Sequence, residues 1–289
     1  MARRPFDPAD FGLRKAEYRQ GDILDRAAVD ALVADADVVV HLAFIIMGGH
    51  EEGRRINLEG SANVFAAAAD APRVQRLVYT SSVAAYGFHR DNPQPLTEDV
   101  LPRGTDAHYY SAEKAELEAT LWETVGDLDA YVFRPCIVAG PDALMPIREI
   151  PWLLRRSPVT VLPDPGVRFQ LVHHDDVASA LVAAARGAGE PGIYNLAGPG
   201  EMTASDLARA LGWRSVPVPR AAASLAAAAT ALPLIPAQAQ WLNAFHTPVL
   251  MSTHRARKQL RWRPRHDAAD TLAGTVAAAR ERGLIGMLR

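Results

Sequence analysis

The chain has 289 residues, 49% of them hydrophobic and 22% charged, the balance of a globular protein able to bury a sizeable core in one large domain or two unequal ones. A net charge of −2 with a pI near 6.5 excludes a general basic field for nucleic acid or anionic lipid. The single cysteine, Cys136, has no partner for a disulfide or a thiolate metal site, which fits a cytoplasmic location. No apolar signal region opens the chain, and the stretch Ala221 to Ile235 is too short to span a bilayer and contains Pro233.

Arg3, Arg4 and Pro5 form a polar opening loop, and Ala16 to Gln20 has strand character, running into Gly21-Asp22-Ile23-Leu24-Asp25. Asp25 suits an N-cap for a helix over Arg26 to Ala36, with Val29, Leu32 and Val33 on one face. The run Val38 to Leu42 reads as a strand buried on both faces. A loop with Gly48, Gly49 and Gly53 then leads to a helix over Arg54 to Ala69 and a second buried strand over Leu77 to Ser82. A helix carrying Tyr110 and Lys114, a strand over Ala130 to Arg134 and a loop over Pro135 to Pro146 follow.

This alternation predicts an α/β fold, a doubly wound parallel sheet of Rossmann type, with residues 1–145 as the dinucleotide-binding domain. Residues 146–289 form mainly a smaller, partly helical substrate lobe, with segments near 168–198 returning to the main sheet. Short strands are expected at Leu171 to His173 and Ile193 to Leu196, helices at Asp176 to Ala185 and Thr203 to Leu211, and a helix in the alanine-rich run Ala221 to Ala231. Ligands of such sheets collect beyond the strands' carboxyl ends, where Asp22, Phe44, Ser82 and Pro135 fall.

The chemistry centres on Tyr110-Ser-Ala-Glu-Lys114. A tyrosine and a lysine four residues apart share one helix face, and an adjacent cation favours the phenolate, so the pair is suited to exchange a proton with a hydroxyl or carbonyl near neutrality. The chain has only three lysines, Lys15, Lys114 and Lys258. Asp175 and Asp176, after His173 and His174, invite a metal reading, but an aspartate ahead of Val177-Ala178 suits an N-cap and no other ligands converge in the sequence, so no metal is expected.

The ordered set Gly21-Asp22-Ile23, His41-Leu42-Ala43, Thr80-Ser81-Ser82 with Tyr86-Gly87, Tyr110 to Lys114, and Arg134-Pro135 resembles the extended short-chain dehydrogenase/reductases, and more narrowly the NAD-dependent epimerase/dehydratase family. The likeness continues in His173 to Ala178, Tyr194 to Gly198 and Leu260 to Pro264. It implies an NAD(P)-dependent oxidoreductase or epimerase-like enzyme in which Tyr110 is the acid or base, Lys114 lowers its pKa and reaches the nicotinamide ribose, and Ser82 bonds the reacting oxygen. It further implies that Asp22 and Ile23 meet the adenine, and that Leu42, Ala43, Phe44, Asn57, Thr80, Tyr110, Lys114, Pro135 and Ile137 line the cofactor. Intact Ser82, Tyr110 and Lys114 favour the enzyme over a non-catalytic dinucleotide-binding sensor. A homodimer through helices that include Tyr110 to Trp122 is an expectation by the same analogy.

The family's nucleotide-sugar members carry an arginine upstream of the His-x-x-Asp region and another before a C-terminal Leu-Gly-Trp element. Here Phe169-Gln170-Leu171-Val172 stands at the first place, Arg168 is one residue out of register, and Trp241 to Ser252 has no arginine. With Ile45, Ile46 and Met47 after the cofactor strand, a small apolar alcohol or ketone is the expected substrate, with a nucleotide sugar as the alternative. Arg3-Arg4 resembles a loop where arginine accommodates a 2′-phosphate, which tilts the expectation from NAD towards NADP. No G-x-x-G-x-x-G turn follows a strand anywhere in the chain. The domain therefore reads as N-terminally incomplete: a shortened form of a longer protein, unstable by itself or completed by another chain, that binds its dinucleotide poorly.

Overall fold

The computed structural model describes residues 1–46, 51–144, 161–219, 221 and 247–285. Its strands, in chain order, are β1 (Val38–His41), β2 (Arg76–Thr80), β3 (Asp129–Pro135), β4 (Ile137–Ala139), β5 (Val161–Asp164), β6 (Leu171–His173), β7 (Gly192–Leu196) and β8 (Arg214–Pro217). The helices are α1 (Arg26–Val33), α2 (Glu51–Asp70), α3 (Tyr109–Thr124), α4 (His174–Ala185), α5 (Ala204–Leu211), α6 (His254–Gln259) and α7 (Ala268–Glu281).

Strands β1, β2, β3 and β7 form a four-stranded parallel sheet in that order, with Val39 opposite Leu77, Tyr79 opposite Val132 and Phe133 opposite Tyr194. The two-residue strand period divides the core between the sheet's faces. Leu77, Tyr79, Ala130 and Val132 pack with Val29, Phe65, Leu117 and Leu121 of α1, α2 and α3. Val78, Tyr131 and Phe133 pack instead with Val177, Ala180 and Ala184 of α4 and with Trp262. Helices on both faces make this the expected doubly wound α/β fold. A third cluster joins Leu171 of β6 to Leu211 of α5 and to Leu272, Val276 and Ala279 of α7.

Local chemistry accounts for the element ends. Asp25 caps α1 by accepting from Ala28 N at 3.1 Å, as expected. Thr203 caps α5 in a capping box with Asp206. Gly60 lets α2 approach the preceding turn closely, because a Cβ there would lie 2.4 Å from Ile23 Cγ1.

Three expectations are corrected. Ala16 to Gln20 is not a strand of the sheet; it makes one isolated parallel bridge, Ala2 to Gln20, because no described strand runs alongside it. The Val38 run is buried on one face only: β1 pairs with β2 and with no other described strand, leaving Val40 45% and Leu42 58% exposed. His173 rather than an aspartate caps α4, accepting from Asp175 N at 3.2 Å, while Asp176 accepts from the backbone of Arg265 and His266. Met47, the Gly48-Gly49 loop, Pro146 and the alanine-rich helix, apart from Ala221, lie outside the described residues. No helix among the described residues is long and apolar enough to cross a membrane.

The edge position of β1 has a measurable consequence. In the 289-residue chain, Leu77→Ala should cost about 2–5 kcal/mol in urea unfolding, whereas Val40→Thr should stay within about 0.5 kcal/mol. Equal losses would contradict the exposed face of β1.

Candidate active site

The carboxyl end of β2 and the first turns of α3 are joined by short polar contacts. Ser82 caps a one-turn 3-10 helix, Val83–Tyr86, by accepting from Ala84 N at 3.2 Å. His108 caps α3, and Ser111 Oγ donates to Ala84 O at 2.6 Å, pinning the two helix starts together. Ser82 and Tyr110 are thereby brought into side-chain hydrogen bonding. One turn further along α3, Lys114 Nζ donates to Thr80 O at 2.9 Å and to Tyr79 Oη at 3.3 Å. The ammonium lies 3.8 Å from the centre of the Phe44 ring, which also packs edge-on against Tyr110 at 5.4 Å.

Burial dominates the titration of both groups. It pushes the Tyr110 phenol up to about 12, with the Ser82 bond working the other way. It pushes Lys114 down to about 7, opposed by the carboxylates of Glu118 and Glu113. The expected depression of the tyrosine by the lysine is thus reversed, because Lys114 gives its bonds to Thr80 and Tyr79 and faces the Tyr110 ring from 5.9 Å. Of the two, it is the lysine that burial brings towards neutrality.

The remaining expected site residues are placed as follows. Asn57 is buried, accepts from Ile45 N at 2.7 Å and donates to Ile45 O and to Glu113 Oε2 at 2.8 Å, so it shapes the loop that carries Phe44. Thr80 Oγ1 is buried with no hydrogen-bond partner among the described residues. Pro135 ends β3 opposite Leu196, and Ile137 begins β4. Leu42 and Ala43 are exposed beyond β1. Asp22 Oδ1 accepts from Leu24 N at 3.0 Å, closing a turn, and Ile23 packs on Gly60.

Sequence reasoning did not single out Tyr79, Glu118 or Arg134 as site residues. Glu118 and Arg134 are fully buried and paired, Nη2 to Oε2 at 2.5 Å and Nε to Oε1 at 2.9 Å, and Ser81 Oγ donates to Glu118 Oε1 at 2.5 Å. The spacing Lys114 to Glu118, again four residues on one helix face, was the available signal.

Elsewhere, His173, His174 and Asp175 bring ligand-capable atoms within 4.8 Å of one another. His173 Nδ1 is used by the helix cap, and His174 faces Asp175 Oδ1 at 3.2 Å and Asp142 N at 3.4 Å. At the position where an arginine was sought, Gln170 bonds the Met251 backbone at both ends, 2.8 and 3.3 Å, and Arg168 pairs with Glu201 at 2.7 Å.

Residues 1–197 match the model of the NAD dependent epimerase/dehydratase family, and the chain belongs to that family. It is 27% identical over 285 residues to the uncharacterized protein y4nG of Sinorhizobium fredii, covering 94% of this chain and 71% of that one. It is 28% identical over 206 residues to a dTDP-glucose 4,6-dehydratase of Streptomyces niveus, of which it covers 60%; its match to a Mycobacterium tuberculosis relative covers 56% of that protein. Among solved structures it resembles WbmG of Bordetella bronchiseptica in complex with NAD and UDP, with a TM-score of 0.71 at 18% identity, covering 92% of this chain and 80% of that one. That likeness speaks for the fold. The family description and this neighbour carry NAD, so the tilt towards NADP gains no support; Arg3 and Arg4 are exposed, and their carbonyls accept from Gln20 and Tyr18.

The reversed titration can be checked through stability. Folded Lys114, at about 7 against an ordinary 10.5, binds fewer protons than the unfolded chain between those values, so its contribution to stability rises with pH across that window. Urea unfolding from pH 7 to 9 should show this rise in the wild type and a flatter curve in Lys114→Met. An identical rise in both proteins would contradict the buried, depressed lysine.

Proposed function

We propose that this chain belongs to an NAD-dependent enzyme that oxidises and re-reduces, or eliminates across, a sugar carbon of a nucleotide-linked sugar, with Tyr110 as acid or base. The observation that carries the reading is the convergence of Ser82, Tyr110 and Lys114 at the end of β2 in a member of this family. The UDP bound by WbmG and the dTDP-glucose of the Streptomyces relative support the nucleotide sugar over a small apolar alcohol. Gln170 and Arg168 favour a second reading, a substrate without a diphosphate, since the first is bound to backbone and the second to Glu201.

The residues fit the nicotinamide and ribose end of NAD. Thr80 Oγ1, buried and unpartnered, and Lys114 beside it offer hydrogen bonds to ribose hydroxyls, while Phe44, Pro135 and Ile137 offer apolar walls. Asp22 and Ile23 would serve the adenine end, Leu42, Ala43 and Asn57 the loop between. Bound NAD would supply the hydride acceptor and a positive ring charge. The chain's own part is to hold the reacting oxygen between Ser82 Oγ and Tyr110 Oη, to pass its proton at Tyr110 Oη, and to keep the Lys114 ammonium nearby. The substrate side would come mainly from residues 146–289.

Assays with NAD and a panel of UDP- and dTDP-sugars against apolar secondary alcohols test both readings. Sugar-nucleotide turnover is expected, and Tyr110→Phe should lower it by about 10²-fold or more with NAD affinity nearly unchanged. Turnover confined to the apolar alcohols would favour the second reading, and equal activity in Tyr110→Phe would remove the role of the phenol.

A further inference from the structure

Lys114 is buried among groups of both signs, and their arrangement distinguishes one of them. Facing it are Tyr110, Glu113 and Glu118 from its own helix, Tyr79 from β2 and His41 from β1, with Arg134 of β3 behind Glu118. His41 bonds Ser61 Oγ at 2.9 Å and is held neutral by burial, its pKa pushed down to about 3. The two carboxylates differ in their supports. Glu113 is the immediate neighbour of Lys114 in sequence, is bonded by the neutral Asn57 amide, and burial raises its pKa. Glu118 is one turn on, on the face of α3 that carries Lys114. It receives the two-nitrogen fork of Arg134 and the hydroxyl of Ser81.

Lys114 and Glu118 grip adjacent residues at the end of β2: the ammonium donates to Thr80 O, and the carboxylate accepts from Ser81 Oγ. The next residue is Ser82. A rotation or slide of α3 that moved Lys114 from Thr80 would therefore also break the Glu118 bonds to Ser81 and Arg134.

We infer that Glu118, held by Arg134 and Ser81, is the positioning residue that aligns Lys114 beside Tyr110 and favours its charged form. This rests on the reading of Lys114 and Tyr110 as the acting pair. A buried ammonium at full desolvation needs a fixed counter-charge to stay protonated, and a carboxylate already locked in a bidentate pair supplies it without moving. Arg134 has a separate duty in this arrangement: its forked hydrogen bond fixes the Glu118 carboxylate in place.

The chain's three lysines make a direct test practical. In protein labelled with 13C and 15N at lysine, each ammonium can be titrated by NMR, with Lys114→Met assigning the signal. Glu118→Gln alone leaves Arg134 buried and unpaired and risks unfolding, so the deciding variant is the double change Glu118→Leu with Arg134→Met, an apolar replacement of the kind that buried pairs commonly tolerate. Wild-type Lys114 should titrate near 7, and in the double variant about one pH unit or more lower. Glu118→Asp, which keeps the charge, should restore most of the difference, and Glu113→Gln should shift Lys114 less than the double variant does. An unchanged Lys114 titration in the double variant, or a larger shift in Glu113→Gln, would overturn the inference. The titration needs no substrate, so a protein that shows the shift yet turns over no sugar nucleotide fails the functional proposal and not this one.

Discussion

The ion pair between Arg134 and Glu118 is the constraint on which the site's geometry depends. It joins the last turns of a central strand to the middle of α3 inside the core, where both side chains are fully shielded from water. Desolvating two charges is expensive, and the cost is met here by a forked hydrogen bond, by the Ser81 hydroxyl and by the Tyr86 ring stacked 4.3 Å from the guanidinium carbon. Loss of one partner from such a pair typically costs about 3–5 kcal/mol, a large share of a domain's total of about 5–15 kcal/mol. Its effect is geometric as well as energetic: a shift of α3 against the sheet would break these bonds.

From that placement the rest of the site follows. Ser111 finds Ala84 O, Ser82 meets Tyr110, and Lys114 reaches the carbonyl at the end of β2. The Phe44 ring then covers both Tyr110 and Lys114, and the loop that carries it is held by Asn57. Removing these groups from water separates their proton affinities in opposite directions. A buried phenol resists losing its proton and a buried ammonium resists keeping one. Tyr110 is accordingly a proton donor in this state, and Lys114 is the member of the pair whose charge changes near neutral pH.

Much of this was legible in the sequence, and the limits have physical causes. The alternation of apolar runs and amphipathic helices was sufficient for the parallel α/β sheet, and the tyrosine-lysine spacing for a shared helix face. What it did not reveal depends on neighbours distant in the chain. The valines of β1 look the same whether one face or both are covered; only pairing decides, and β1 lies at the edge of the described sheet. Asp176 has the composition of a helix cap, yet the chain returns about ninety residues later to offer it the backbone of Arg265 and His266, and the cap passes to His173. Arg134 reads as the end of an apolar strand, and nothing in that strand names Glu118 as its partner. The direction of the two pKa shifts depends on burial depth, which spacing does not encode.

The central claim is that burial leaves Tyr110 protonated and gives Lys114 the titration near neutrality. The most direct test is the ultraviolet absorbance of tyrosinate, followed against pH with no dinucleotide added and subtracted between wild type and Tyr110→Phe. The account predicts no Tyr110 ionisation in the difference curve through neutral and mildly alkaline pH, in keeping with a phenol pushed up to about 12. A difference signal that rises between about pH 7 and 8, as a cation-activated phenolate would give, would contradict it.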